Sequence, residues 1–174
     1  RKFFKIAALW RLGQNWLYQM SLGHTNEAVN GIHYSPDGYT LPNGLMLQYP
    51  GLEQAADGFR YINDQRIWRE MLKGKITGTP LGNDKWTYIY GGKTIENLTQ
   101  ALARIVVADQ LVEISHRYPV ALQVHDENVI VVDEAEADEA RAFMEHVMSQ
   151  PPGWAPDLPV ACESGVGPTY GDCK

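Results

Sequence analysis

The sequence predicts an α+β fold in which a small antiparallel sheet packs on two long helices. Apolar residues recur at helical spacing over residues 94–115 and again over about 134–149. Between these segments, residues 120–132 contain two apolar β-type runs on either side of a His-Asp-Glu triplet, which is typical of a tight hairpin. An irregular, β-containing and aromatic-rich N-terminal subdomain precedes them.

The first half of the chain supports this division. Residues 2–21 predict a helix, because apolar residues recur at helical spacing and Gly23 follows as a stop signal. Residues 24–44 are rich in Gly, Asn and Pro and predict a loop. A short strand is expected at Leu45–Tyr49, where Pro50 and Gly51 end it.

The aromatic-rich segment 58–91 predicts a β-rich insertion. Its strand candidates are Phe59–Ile62 and Lys85–Tyr90, with a short apolar segment at 67–72 between them, and Gly91-Gly92 ends it. The helix at 94–115 has the clearest apolar stripe of the chain, formed by Ile95, Leu98, Leu102, Ile105 and Val112.

The remaining elements complete the predicted sheet. The helix at about 134–149 ends before Pro151-Pro152, and a last strand is expected at Leu158–Glu163, beside the 120–132 hairpin. We therefore divide the chain into residues 1–93 and residues 94–174. Because Arg1 rather than methionine opens the sequence, we expect the chain to be part of a longer polypeptide.

Composition argues against a membrane-spanning protein and against a cysteine-based metal site. The chain has 174 residues, of which 44% are hydrophobic and 21% charged, as in an ordinary globular domain, and no apolar run is long enough to span a membrane. Cys162 and Cys173 show no metal-ligand spacing, so two free thiols in a reducing compartment are expected.

The net charge of −6 hides an asymmetry between the two parts. Residues 1–93 carry 11 Lys and Arg against 7 Asp and Glu, whereas residues 94–174 carry 4 against 14. Much of the negative charge lies at 133–139, where it favours the start of a helix. The total charge therefore does not decide for or against nucleic acid as a partner.

His125, Asp126 and Glu127 are the main candidates for chemistry. Ionised carboxylates are rarely kept inside a sheet unless they are paired or hold a metal. At a turn, both carboxylates can approach one side, and Mg²⁺ commonly takes only one or two protein carboxylates, with water and phosphate as its other ligands. The alternative is a polar hairpin turn without chemistry.

Lys93, Asn97, Gln100 and Arg104 form a second candidate site. Their spacing of 4, 3 and 4 residues places these donor side chains on one helix face. Such side chains contact phosphates and base or sugar edges, although an ordinary solvated face has the same pattern. The aromatic residues interleaved with Arg and Lys before residue 94 are either stacking platforms for bases or, as we favour, core and strand-pair residues.

The order of elements around Gln123-Val-His-Asp-Glu127 resembles the C-terminal palm of the A-family, DNA polymerase I-like, DNA polymerases, in which a similar motif C lies between two strands. The resemblance extends to Glu163-Ser-Gly-Val-Gly167 downstream. Upstream, Tyr39–Tyr49 is similar to the segment after the fingers, and Tyr90–Ala101 is similar to the start of the DNA-contacting palm helix, most like phage versions.

The resemblance implies a template-directed nucleotidyl transferase that uses two Mg²⁺ ions, with primer–template DNA and dNTP as partners. Asp126 would be the metal-ligating aspartate, Glu127 a supporting metal ligand, and His125 a residue that positions the hairpin near the primer end. The resemblance implies a DNA contact at Gln100 and, less directly, at Lys93 and Asn97. Arg104, on the same helix face, and Gln123, in the motif, are further candidates for DNA contacts. The family places an asparagine four residues before its glutamine, where Glu96 stands in this sequence.

Two motifs of the family have no counterpart in residues 1–93, namely the aspartate-bearing motif A and the fingers helix with Lys and Tyr. The resemblance therefore implies a C-terminal fragment that is inactive alone and needs the remainder of a phage or prophage polymerase, in the cytoplasm of a bacterial host. Two alternatives remain: a non-catalytic polymerase remnant that binds DNA or protein, and a metal-dependent phosphohydrolase that uses His125 and Asp126.

Overall fold

The computed structural model describes residues 4–56, 58–63 and 85–173 and confirms the predicted α+β class. The chain divides into two compact units, Arg1–Ala101 and Leu102–Lys174. In the described part of the first unit, helix α1 (Phe4–Ser21) is followed by seven short strands and the start of helix α2 (Gly91–Ser115). The second unit contains the end of α2, a two-stranded hairpin and helix α3 (Ala137–Met148).

The region predicted as a loop, 24–44, is instead the main part of an antiparallel sheet. Its strands are β1 (Asn26–Val29), β2 (Ile32–Ser35) and β3 (Gly38–Thr40), and β4 (Met46–Gln48) completes the order β1-β2-β3-β4. Asn30 and Gly31 have φ of 47° and 75° and form the turn between β1 and β2. Asn-Gly is a strong hairpin signal, because both residues tolerate positive φ. The prediction was wrong because we interpreted turn residues as a loop.

A second sheet in the same unit has the order β5-β6-β7. Strand β5 (Glu53–Ala55) was not expected, whereas β6 (Gly58–Ile62) and β7 (Trp86–Ile89) confirm two predicted strands. The apolar segment predicted at 67–72 lies outside the described residues. Arg60 lies 4.3 Å from the centre of the Trp86 ring and pairs with Glu53, so these residues are bound to each other across the sheet.

Several aromatic residues of this unit form its core, whereas Trp10, Tyr18, Tyr88 and Tyr90 are exposed. Of the aromatic residues interleaved with Arg and Lys, Tyr61 and Trp86 are strand-pair residues, as we favoured, and Trp68 lies outside the described residues. Tyr39 packs edge-on against Trp16 and Tyr49, at ring distances of 6.2 and 5.9 Å, and Tyr49 packs against Tyr61 at 5.0 Å. The side chains of Tyr39 and Tyr49 are almost completely buried. The second half of α1 adds Leu17 to this core, while its first half is exposed.

Helix α2 begins three residues earlier than predicted, because Gly91 and Gly92 are part of its first turn. The backbone N–H of Gly91 donates to the Gln14 side chain at 2.7 Å, which satisfies one of the free donors of a helix start. Gly91 also lies against the backbone of α1. A Cβ atom at this position would lie 2.5 Å from the Gln14 nitrogen and even closer to the Trp10 carbonyl oxygen.

Replacing Gly91 with alanine should therefore lower the free energy of unfolding by about 1–3 kcal/mol, since the new methyl group meets backbone atoms that cannot turn away. Urea denaturation measures this change. Gly92→Ala is the matched control, because the atoms nearest to its Cβ would be side-chain atoms of Tyr90 and Trp10, at 3.0 and 3.4 Å. It should be neutral or slightly stabilising, and equal losses for the two variants would contradict the backbone-contact explanation.

In the second unit, the end of α2 is bound to the end of α3. The side-chain amide of Gln110 donates to the carbonyl oxygen of Met148 at 3.0 Å, and Gln110 is buried. Tyr118 packs edge-on against Phe143 at 5.7 Å, and Arg117 lies over this ring while it pairs with Glu139. These contacts fix α3, whose first residue follows a short 3₁₀ turn at Glu134–Glu136.

The hairpin prediction at 120–132 is confirmed by β8 (Val120–Val124) and β9 (Glu127–Ile130). The strand predicted at Leu158–Glu163 is wrong: these residues have no strand structure, and the sheet has two strands. Pro159 has no N–H to donate, and the end of the segment is held by side chains instead. Arg141 donates to Ser164 at 3.0 Å, and Ser164 donates to Glu145 at 2.5 Å.

Cys162 and Cys173 are free thiols, as expected. Burial raises the pKa of the Cys162 thiol, and the nearby carboxylates of Glu145 and Glu163 add to this shift. Within the described ranges, no helix is both long and apolar enough to cross a membrane.

Candidate metal centre at the hairpin tip

The His-Asp-Glu triplet lies at the tip of the β8–β9 hairpin. Val124 pairs with Glu127, so His125 and Asp126 are the two residues of the turn and Glu127 begins β9. His125 has a φ of 52°, in a position where hairpins usually carry glycine or asparagine. Histidine adopts positive φ more readily than most residues, although less readily than glycine. The two acidic residues, Asp126 and Glu127, therefore directly follow a residue whose backbone conformation is constrained.

All three side chains of the triplet are exposed. The expectation that they lie inside a buried sheet was wrong, because in the part of the chain that the structure describes the sheet has two strands and its turn is exposed. Their placement at the tip therefore argues for accessibility to a ligand rather than for a role in folding.

The two faces of the hairpin differ in polarity and burial. Gln123 pairs with Asn128 on the face opposite Val124 and Glu127. Asn128 is buried and its amide lies 3.8 Å from the sulfur of Met148, so this face packs toward α3. The amide nitrogen of Gln123 is buried and has no acceptor among the described residues. Gln123 thus lies on the inner face, and Glu127 lies on the outer one.

Glu127 is connected to the C-terminal tail. The hydroxyl of Tyr170, which begins a 3₁₀ turn at Tyr170–Cys173, donates a hydrogen bond to the Oε2 atom of Glu127. The two residues are 43 positions apart in sequence. No pattern in the sequence indicated this contact, because Tyr170 lies in an irregular segment without periodicity.

The carboxylate oxygens at the hairpin tip can supply some, but not all, of the ligands that Mg²⁺ needs. Carboxylate oxygens are the ligands that Mg²⁺ prefers, and it usually takes one or two of them from the protein. Asp126 and Glu127 supply this number. Among the described residues, no group of three or more His, Cys, Asp or Glu side chains is placed to hold a metal ion. The tip alone therefore offers a two-carboxylate set that water and substrate oxygens must complete.

Three of the four polar side chains predicted on α2 have partners within the chain. Lys93 pairs with Glu96 at 2.8 Å, and this hydrogen bond raises the pKa of Lys93. Gln100 donates to the same Glu96 carboxylate at 3.4 Å, and Asn97 donates to the Tyr49 hydroxyl at 3.0 Å. Burial raises the pKa of Tyr49 to about 12, and the Asn97 hydrogen bond partly offsets that rise.

These contacts separate the four α2 residues by role. Asn97 binds Tyr49 in the aromatic core of the first unit. Lys93 is half-buried and Gln100 is exposed, and both bind the carboxylate of Glu96. Arg104 is exposed. We did not predict that Glu96 would bind Lys93 and Gln100. The sequence contained the signal, because residues three or four positions apart form side-chain pairs on a helix.

The fold and the tip together define an α+β protein that presents two adjacent carboxylates at the tip of a hairpin and polar side chains along one face of a long helix. Its sequence is similar to that of the DNA polymerase of Bacillus phage SP02, with 33% identity over 137 residues and 75% of this chain covered. The match spans 19% of the length of that polymerase. The chain is therefore related to a phage DNA polymerase. No family model matches the sequence, and no solved structure matches it.

Proposed function

We propose that this chain is the C-terminal palm part of a phage-type, A-family DNA polymerase, which transfers dNTP to a primer 3′-hydroxyl under the direction of a template. The observation that carries the proposal is the His125-Asp126-Glu127 turn, an accessible carboxylate pair at a hairpin tip. The similarity to the phage SP02 polymerase supports it independently.

In this proposal Asp126 is the metal ligand that the chain contributes, and Glu127 is the supporting carboxylate beside it. When bound, two Mg²⁺ ions lower the pKa of the primer hydroxyl and stabilise the charge on the leaving phosphate. His125, which has a φ of 52° in the turn, positions the hairpin near the primer end. The second metal-binding carboxylate and the nucleotide-binding fingers come from the remainder of the polymerase.

Primer–template DNA is the proposed partner of the polar face of α2. Arg104 and Gln100 are its exposed donors, and Lys93 is half-buried beside them. Contact with DNA would require Gln100 and Lys93 to exchange Glu96 for phosphate or base edges. Asn97 and Gln123 are less accessible, because one binds Tyr49 and the other lies on the inner face of the hairpin. The proposed location is the cytoplasm of a bacterial host.

The second candidate is a non-catalytic remnant that binds DNA or protein. The two-carboxylate tip favours it for the chain by itself, because a two-metal reaction needs more ligands than Asp126 and Glu127 supply. The two candidates share DNA binding and differ in incorporation by the full-length gene product. A remnant would bind primer–template without extending it in any context.

Primer–template binding by the 174-residue chain tests the proposal, with fluorescence anisotropy measured across a range of salt concentrations. We expect weak binding that weakens further as salt rises, because cations released from phosphates drive it. Arg104→Gln should reduce the salt slope by about one, the change expected for one lost phosphate contact.

Arg141→Gln is the matched control, because it removes the same charge from a residue already paired with Glu145 at 3.2 Å. It should leave the slope unchanged. Binding that does not depend on salt, or equal effects of the two variants, would contradict the assignment of the α2 face to DNA.

A further inference from the structure

We propose that Trp10 and Tyr90 form a stacking surface for the bases of single-stranded DNA. The two residues lie where α1 meets the start of α2, within the first unit of the chain. The inference rests on the proposed function for the identity of the strand, which is the unpaired part of a template. Stacking by the chain is tested without any polymerase activity.

The first observation is that the two rings are exposed beside the same glycine. Trp10 is 53% exposed and Tyr90 is 58% exposed, although tryptophan is highly buried on average. A Cβ atom at Gly92 would lie 3.0 Å from the Tyr90 ring and 3.4 Å from the Trp10 ring. Gly92 has no side chain that covers them. Single exposed apolar residues are common on protein surfaces, whereas these two rings form a continuous aromatic patch.

The second observation is that the backbone at both rings is fixed. The carbonyl oxygen of Trp10 lies directly against Gly91, and the Gly91 N–H donates to the Gln14 side chain at 2.7 Å. The carbonyl oxygen of Tyr90 accepts a hydrogen bond from the Thr94 N–H at 2.9 Å, in the first turn of α2. Both residues are therefore held in place without a ligand, and a preformed surface loses less conformational entropy on binding.

The third observation is the charge of the segments that carry the rings. Residues 4–21 and 85–93 contain four cations and no acidic residue. The cations are Lys5, Arg11, Lys85 and Lys93. Glu96 pairs with Lys93 at 2.8 Å, whereas Lys5 and Arg11 are exposed on α1. Aromatic rings together with nearby cations bind single strands without sequence preference, because bases stack on the rings and phosphates approach the cations.

A protein partner is the alternative occupant of this surface, because the aliphatic side chains of Ile6, Leu9 and Leu12 on α1 are exposed as well. An apolar protein contact over α1 would bring Lys5 and Arg11 out of water, and burying an unpaired cation is costly. A DNA strand supplies phosphates for the same two cations. The charge of α1 therefore favours DNA.

The experiment measures binding of the 174-residue chain to a labelled oligothymidylate of about 12 nucleotides, a length within the range that such surfaces bind. The comparison strand has the same length and phosphate charge but carries abasic sites in place of the bases. Fluorescence anisotropy at low salt gives both affinities. We expect the abasic strand to bind about five- to 100-fold more weakly, the effect of losing one stacked base.

Trp10→Ala and Tyr90→Ala should each weaken oligothymidylate binding by a factor in the same range and leave binding of the abasic strand unchanged. Trp10→Phe, which keeps an aromatic ring, should lose less affinity than Trp10→Ala. Tyr18→Ala is the matched control, because Tyr18 is also exposed on α1 but lies about 12 Å further along the helix axis. It should bind both strands as the wild type does.

Equal affinity of the wild type for the two strands overturns the inference, because phosphate contacts alone would then account for binding. Absence of oligothymidylate binding overturns it as well. Self-association that Trp10→Ala abolishes, together with unchanged oligothymidylate affinity, would assign the surface to a protein contact instead. Where Trp10→Ala fails to fold, the comparison of the two strands with the wild type decides.

The same variants separate this inference from the proposed function. Loss of stacking in Trp10→Ala, together with a primer–template salt slope that Arg104→Gln leaves unchanged, would support the stacking surface and contradict the assignment of the α2 face to DNA. The reverse result would keep the α2 face and overturn the stacking surface.

Discussion

Replacing Asp126 with asparagine should lower nucleotide incorporation by the full-length gene product about 10³-fold, which corresponds to about 4 kcal/mol of transition-state stabilisation. Asparagine keeps the size of the side chain and removes the negative charge that a divalent cation needs. The loss should appear in kcat, because charge develops on the phosphate in the transition state rather than in the bound substrate. Single-turnover primer extension with Mg²⁺ measures it.

Glu127→Gln is the matched control, since it removes one charge from the neighbouring position. Its loss should be about tenfold or less, because Glu127 accepts a hydrogen bond from Tyr170 and has only the supporting role in the proposed metal site. Equal losses for the two variants would contradict the separate roles given to the two acids. A larger loss for Glu127→Gln would reverse them.

Replacing Tyr39 with alanine should have the largest effect on stability, with a loss of about 3–5 kcal/mol in the free energy of unfolding. The ring is fully buried and packs edge-on between Trp16 and Tyr49. Its removal leaves a cavity in the centre of the first unit and ends both ring contacts. Denaturation followed by tryptophan fluorescence measures the change.

Tyr39→Phe separates the ring from its hydroxyl. The hydroxyl oxygen is buried and has no hydrogen-bond partner among the described residues. Burial raises the pKa of Tyr39 far above its ordinary value, as do the neighbouring tyrosines. Removing an unpaired buried hydroxyl should be neutral or stabilising. A loss close to that of the alanine variant would show that the hydroxyl, not the ring, stabilises this core.

The features that the sequence predicted well are those with a short-range period or a local turn. Helix α2 and the β8–β9 hairpin follow from apolar spacing, and β4, β6 and β7 follow from short aromatic or apolar runs between turn residues. The sheet of β1, β2 and β3 was missed because we interpreted the turn residues between its three- or four-residue strands as a loop. Asn30-Gly31 was nevertheless a sufficient signal for its first hairpin.

The candidate site was predictable in its centre and not in its surroundings. His125, Asp126 and Glu127 are adjacent in sequence, so one turn brings them together. Tyr170 reaches Glu127 through the fold of the tail, and no local pattern encodes a contact over 43 positions. The false strand at 158–163 has the same origin, because hydrogen bonds from α3 side chains, rather than local propensity, decide the path of that segment.

The most direct test is incorporation of one dNTP into a primer–template, measured for the full-length gene product and for the 174-residue chain under the same conditions with Mg²⁺. We expect incorporation by the full-length product that depends on Asp126, and none by the 174-residue chain. Incorporation by the 174-residue chain would show that it holds a complete catalytic site. Absence of incorporation by the full-length product would contradict the polymerase assignment and favour a DNA-binding remnant.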